Sequence, residues 1–381
     1  MIPIALAVAL FGVRACIHTE PLAQLRAAGP EAGDPPNAPP LTGSVYVARG
    51  GPLIIGFQSP TLARLSVNGR ELRGSGVVKE RILVPVGPLA IRFAAPPGAR
   101  LVWSPVGRRG DPEYLPASSI SPEPPATATF SGGAGAARSD GAIALALLLV
   151  LVGSLLMLAR ARLAKVPRAM WIALGVTFAL ALAVRWIGLG DQGQTWDEDV
   201  NWAAGRNYVT NLLGLQFSEA AWIWNFEHPP VMKLLDGIGA QLSDGFGPAR
   251  AMSAIWTALG CAFLVPIGAR LASVRVGVLA AVIAALVPPL VAHGQVVGHE
   301  SPTVLWWSLG VLLALGVHDE IPATGGLRHL ILRMVAVGAA VGIAVASRFV
   351  NGLLGPLCIL IIVVRAPNEW RRETVIWIWV T

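Results

Sequence analysis

The sequence predicts a polytopic α-helical membrane protein that carries a small β domain outside the cytoplasm, and three observations predict it. Of 381 residues, 54% are hydrophobic and 13% charged, whereas a soluble domain carries about 25% charged residues. Apolar runs of span length recur from residue 141 onward. Between residues 41 and 122 the pattern changes to short alternating runs punctuated by Gly and Pro, as in strands and turns.

The net charge of +7 does not gather on one face. Its basic residues form short clusters between apolar runs, which argues for membrane topology and against a nucleic-acid partner. The cysteines are sparse: Cys16 lies in the N-terminal apolar stretch and Cys261 and Cys358 in predicted spans. They form neither a disulfide framework nor a thiolate metal site.

Residues 2 to 13, IPIALAVALFGV, are apolar but short for a span, so residues 1–18 are expected to be a signal peptide or signal anchor. Val13-Arg14-Ala15-Cys16 is only distantly like a lipoprotein cleavage site. Residues 19–40 read as a Pro- and Ala-rich linker. Residues 41–122 follow as an extracytoplasmic β domain, with Asn68-Gly69 marking a tight turn. Its order resembles the protective-antigen-type β-sandwich found on sugar-acting enzymes: a strand pair, the Val67-Asn68-Gly69-Arg70 turn, the strand Val86–Phe93, and Leu101–Pro105 ahead of Tyr114-Leu115-Pro116. That resemblance implies either a carbohydrate-binding module or a spacer. Residues 123–140 form a flexible tether.

Spans are expected at 141–159, 169–187, 249–269, 276–295, 302–317, 331–347 and 351–364, with another opening at 374. The chain stops inside that last apolar run, so C-terminal truncation is expected. If every span crosses, the loops bearing Arg160, Arg162, Lys165 and Arg168, then Arg270 and Arg275, then Arg328 and Arg333, then Arg365, Arg371 and Arg372 share one side, the cytoplasm. The β domain, the loop 188–248, the stretch 296–301 and the turn at Arg348 then face the periplasm or exterior of a bacterial-type inner membrane.

Loop 188–248 is the long interspan loop, and such loops concentrate chemistry. It holds TWDEDVNW, with Asp197 and Glu198 directly after a span, at the level of lipid headgroups. It also holds Phe226-Glu227-His228-Pro229-Pro230-Val231-Met232-Lys233, whose double proline suits a first helical turn. Asp191, Asp199, Arg206, Glu219, Asp236 and Asp244 complete its charged residues, and Trp196, Trp202, Trp222 and Trp224 read as an interfacial aromatic belt or as sugar-stacking rings.

These elements together resemble the dolichyl-phosphate-mannose protein mannosyltransferase-like members of glycosyltransferase family 39, in the GT-C superfamily. The resemblance spans most of 169–365 and rests on the Asp-Glu pair, the H-P-P-x-x-K segment, Arg250-x-x-Ser253, and Val287-Pro288-Pro289-Leu290 followed by His299-Glu300-Ser301-Pro302. Asp199-Val200-Asn201 stands where the eukaryotic branch has His-Phe-Gly. The resemblance implies a GT-C-like catalytic core over 141–381. Such a core takes a polyprenyl-phosphate-sugar donor and passes the sugar to a protein, lipid or glycan acceptor at the outer face.

Under that resemblance Asp197 is the general base, with Glu198 as its alternative, and direct attack inverts the anomeric centre. His228 and Lys233 are expected to hold the donor phosphate. Arg250 and Arg348 come second, with snorkelling to the interface as the competing reading. Glu300 is expected to orient the acceptor, to pair with an Arg, or to sit in a solvated turn. No metal site is assigned. A divalent cation among His228, His299, Glu300 and Asp197 is an alternative without support from spacing. Two further functions compete: a lipid or sugar transporter or flippase, and a membrane-anchored glycan-binding protein. The outer-boundary charges, the lack of an internal repeat and the short inner loops favour the enzyme.

Overall fold

The computed structural model describes residues 2–17, 21–36, 38–106, 112–128, 130, 134–191, 193, 195, 197–243, 245–319 and 326–366. Trp196, Asp244, Arg371, Arg372 and the span expected from 374 lie outside the described residues. The chain divides into two compact units. The first comprises Met1–Leu155, Asp199–Asn225 and Gly237–Gly245, and the second Leu156–Glu198, Phe226–Asp236 and Phe246–Thr381. The loop 188–248, expected to belong wholly to the catalytic core, is therefore shared between them.

The first unit opens with helix α1 (Ile2–Ile17). A sheet follows, made of β1 (Arg26–Ala27), β2 (Pro40–Val47), β3 (Gly51–Val67), β4 (Arg70–Val84), β5 (Gly87–Ala94), β6 (Arg100–Ser104), β7 (Glu113–Tyr114) and β8 (Ile120–Ser121). All eight strands join one antiparallel sheet of order β1-β2-β5-β3-β6-β7, with β4 also on β3 and β8 on β2. Hydrogen bonds link these strands into a single folded sheet over one core, and the reason lies in β3. Its register shifts between Ser59 and Ala63. Before the shift Ile54–Gln58 pair with β6, and after it Arg64–Val67 pair with β5. A strand that changes partners at a bulge turns the sheet a corner. Leu53, Ile55 and Phe57 thus share one core with Leu65, Ile91 and Phe93, and the Phe57 and Phe93 rings lie 5.7 Å apart. The Asn68-Gly69 turn joins β3 to β4 as expected, with both residues at positive φ, +46° and +81°.

The same unit contains the first part of α2 (Ala134–Leu163) and, from Asp199 on, α4 (Glu198–Leu213). The buried Arg14 of α1 pairs with Asp140 of α2 at 2.8 Å and donates to the Leu213 carbonyl at 3.0 Å. Helix α4 lies against the sheet. Arg206 pairs with Glu113 at 3.1 Å, and the Tyr114 amide donates to Asn207 Oδ1 at 2.8 Å. Trp202 and Trp224 are buried, and Trp222 packs on Tyr208 at 4.9 Å. Trp202 and Trp224 are therefore packing residues of the unit, which corrects the aromatic-belt reading for these two: an indole enclosed by protein offers no face to a bilayer. Trp222 is half-buried.

The second unit holds α3 (Arg168–Trp186), the start of α5 (Pro230–Leu242), α6 (Gly247–Leu271), α7 (Val274–Leu286), α8 (Pro288–His293), α9 (Thr303–Leu315), α10 (Gly326–Ser347) and α11 (Leu354–Arg365). Among the described residues, four helices, α2, α3, α6 and α10, are long and apolar enough to cross a membrane. The span expected at 276–295 is broken. Val287 is extended (φ −62°, ψ 119°) because a residue before proline is pushed out of the helical region, and Pro288 opens a new short helix. Helix α6 packs against α3, α7 and α9 and approaches α7 and α9 closely through glycines. A Cβ on Gly260 would lie 2.5 Å from the Leu305 amide nitrogen. Arg185 of α3 is fully buried and donates to the carbonyls of Ala181, on its own helix, and of Ala285 and Leu290 beside the α7–α8 break, while its Nε has no partner among the described residues.

Candidate functional site

Within the second unit one face of α6 gathers three loop segments. Arg250, Ser253 and Thr257 recur three and four residues apart, so they share a helix face. Arg250 Nε and Nη2 donate to Glu198 Oε1 and Oε2 at 2.7 and 2.6 Å. The Ser253 hydroxyl donates to Asp236 Oδ2 at 3.2 Å. The Thr257 hydroxyl donates to the Ser301 carbonyl at 3.0 Å. The Arg-x-x-Ser pattern is thus a clasp that holds the start of α4, the first turns of α5 and the loop 294–302.

Glu198 is fully buried, and its carboxylate also accepts from the Val297 amide at 3.0 Å. Arg250, 3% exposed, further donates to the Leu189 carbonyl at 3.0 Å. The Arg250 fork is thus held by a carboxylate in a buried bidentate ion pair that fits guanidinium geometry, which corrects the snorkelling reading. Glu198 likewise has both oxygens engaged, whereas Asp197, the preceding residue, is exposed.

The loop tied to Glu198 carries His299 and Glu300. Glu300 pairs with Arg348 at 2.6 Å, both side chains partly exposed, as one of the expectations had it. Arg348 lies between the end of α10 and a short 3-10 turn, Phe349–Leu353. The His299 ring lies 4.1 Å from that of His228. His299 is buried with no hydrogen-bond partner on either ring nitrogen among the described residues. Burial pushes its pKa down to about 3, helped by the positive fields of His228, Lys233 and Arg348. His228 by its ring, Lys233 through the His228 carbonyl and Arg348 through Glu300 are thus tied to one loop.

Lys233 is fully buried, and its ammonium donates to the His228 carbonyl at 2.6 Å, folding back over the Pro229-Pro230 entry of α5. Asp236, one turn on, is buried, and burial raises its carboxyl well above the ordinary range. The Glu198 charge acts in the same sense, while the Ser253 hydroxyl opposes it. No role follows for Asp236 or His299 from sequence spacing alone. The signal available was the shared face of Arg250, Ser253 and Thr257 on α6, which implies partners among loop residues. Among the described residues no three His, Cys, Asp or Glu side chains are arranged to hold a metal ion.

The profile of the family described as Dolichyl-phosphate-mannose-protein mannosyltransferase matches residues 227–381. The match supports a membrane glycosyltransferase of the GT-C type. It covers less than half of the chain. His228, Lys233, Arg250, Glu300 and Arg348 fall inside it, while Asp197, Glu198 and the β domain lie before it. Neither the curated proteins nor the solved structures contain a match to this chain.

Proposed function

We propose that this protein transfers a sugar from a polyprenyl-phosphate donor to a hydroxyl acceptor at the outer face of the membrane, with inversion, and with Asp197 as the general base. The observation that carries the reading is that the loop whose Val297 amide is fastened to Glu198, the neighbour of Asp197, packs its His299 ring 4.1 Å from His228, whose carbonyl holds Lys233, and pairs its Glu300 with Arg348. An exposed carboxylate and a cationic cluster are the two elements this reaction needs.

In the reaction, Asp197 takes the proton of the acceptor hydroxyl as its oxygen attacks the anomeric carbon. The bond from that carbon to the phosphate oxygen breaks, and its electron pair leaves with the polyprenyl phosphate. Fixed cations stabilise the departing anion most strongly where water is excluded. Arg348, whose side chain is partly exposed, exchanges its Glu300 partner for the phosphate. The buried Lys233 adds positive field, held in place by the His228 carbonyl. Glu198 and Arg250 are positioning residues: their pairing sets where α4 begins and hence where Asp197 stands. Acceptors in this reading are protein, lipid or cell-envelope glycan.

The deciding experiment is Asp197→Asn in the membrane-embedded protein, supplied with a polyprenyl-phosphate sugar and assayed for transfer. Loss of transfer with normal membrane insertion is expected. Turnover equal to wild type removes Asp197 from the base role.

A further inference from the structure

The first unit contains a cavity of about 500 Å³ that plays no part in the transfer reaction as derived above. Its walls come from β6, from the segment after β7, from α4, from the end of α5, and from Arg14 with Asp140. The volume falls inside the roughly 300–1,000 Å³ of small-ligand sites.

The polar groups around it are already fixed by one another. Arg206 is held by Glu113 at 3.1 Å and Arg14 by Asp140 at 2.8 Å. Gln241 Nε2 donates to the Thr210 hydroxyl at 2.7 Å and to the Arg206 carbonyl at 2.9 Å. Such side chains lose little entropy when a ligand arrives, which is what preorganisation means for affinity. Arg100 differs. It lies over the Tyr114 ring at 4.6 Å and donates to the Asn211 amide oxygen, with no carboxylate partner among the described residues.

The charge balance selects the ligand. Two guanidinium groups are neutralised and one is not, so a polyanion or a phosphate cluster is poorly matched. The amide and hydroxyl groups alternate with Leu22, Leu101 and Leu115, and an acyl chain would strand the former. A ring bearing many hydroxyls and presenting C–H faces between them satisfies both kinds of wall. We propose that this cavity is a binding site for a short saccharide, neutral or carrying a single carboxylate. The sheet alone does not form it, because α4 supplies Arg206, Asn207 and Thr210. Binding here needs no turnover.

The test uses the full chain in lipid nanodiscs on an array of mono- to tetrasaccharides of neutral hexoses and uronic acids. The wild type is expected to bind at least one of them above empty nanodiscs. Ala117→Trp, which fills the cavity, and Gln216→Trp, which closes its solvent side, are each expected to weaken that binding at least ten-fold. Leu83→Ala, on the exposed face of β4, is expected to leave it unchanged. Two variants are used so that a folding defect in one, seen as a lower melting temperature, does not decide the matter. Asp197→Asn is expected to keep saccharide binding while losing transfer, which separates failure of this site from failure of the transferase reading. An array no brighter than empty nanodiscs, binding confined to phosphorylated sugars, or full binding by both tryptophan variants overturns the proposal.

Discussion

Removing the Arg250 guanidinium tests the clasp directly. In Arg250→Ala, Glu198 remains fully buried and retains the Val297 amide at 3.0 Å but loses donors at 2.7 and 2.6 Å. Breaking one side of a buried ion pair costs about 3–5 kcal/mol, because the surviving charge is left without compensation. Arg250→Lys keeps the charge but replaces a two-pronged fork with a point charge, and should recover only part of that loss. Replacing both partners, Glu198→Gln with Arg250→Met, leaves no buried charge and should be milder than Arg250→Ala alone. Thermal unfolding of the detergent-solubilised variants, read beside sugar transfer, is the assay. The expected order of melting temperature is wild type, then the double variant, then Arg250→Ala, and all three variants should transfer poorly because Asp197 is no longer held in place. If Arg250→Ala melted with the wild type, or if the double variant were the least stable, the buried-pair reasoning would fail. If Arg250→Ala kept full transfer, its positioning role would fail.

Three other outcomes follow from the same unit. Asp236 has a folded pKa raised above 3.8, chiefly by burial. Its carboxyl therefore favours the fold below about pH 3.8, and that contribution is lost as pH rises toward the raised value; Asp236→Asn should gain stability over wild type at neutral pH, seen as a melting difference that shrinks in acid. His299 has the opposite sign for acid. Its pKa falls from 6.5 to about 3, so its contribution is present above pH 6.5 and lost as pH drops toward 3, and His299→Gln should flatten the melting-temperature curve across that window. Gly260→Ala places a Cβ 2.5 Å from the Leu305 amide nitrogen; forcing α6 and α9 apart should cost about 1–3 kcal/mol, visible as reduced yield of monodisperse protein, and an unchanged melting temperature would show that the helices yield freely.

What the sequence determined by itself is what depends on neighbours along the chain. The apolar runs that became α2, α3, α6 and α10, the Asn68-Gly69 turn and the helix start at Pro230 all rest on local hydrophobicity or backbone preference, so they could be read without a fold. The motifs His228–Lys233 and Arg250–Ser253 were legible as patterns, but their partners were not. The tertiary structure decided that Arg250 holds Glu198, 52 residues away, that His299 packs on His228, and that Arg14 meets Asp140, 126 residues away. It also decided that β3 changes partners at its bulge, from β6 to β5. An ion pair or a strand pairing is a meeting of two surfaces brought together by folding, and a residue's type records its capacity to pair but not which partner burial will leave it.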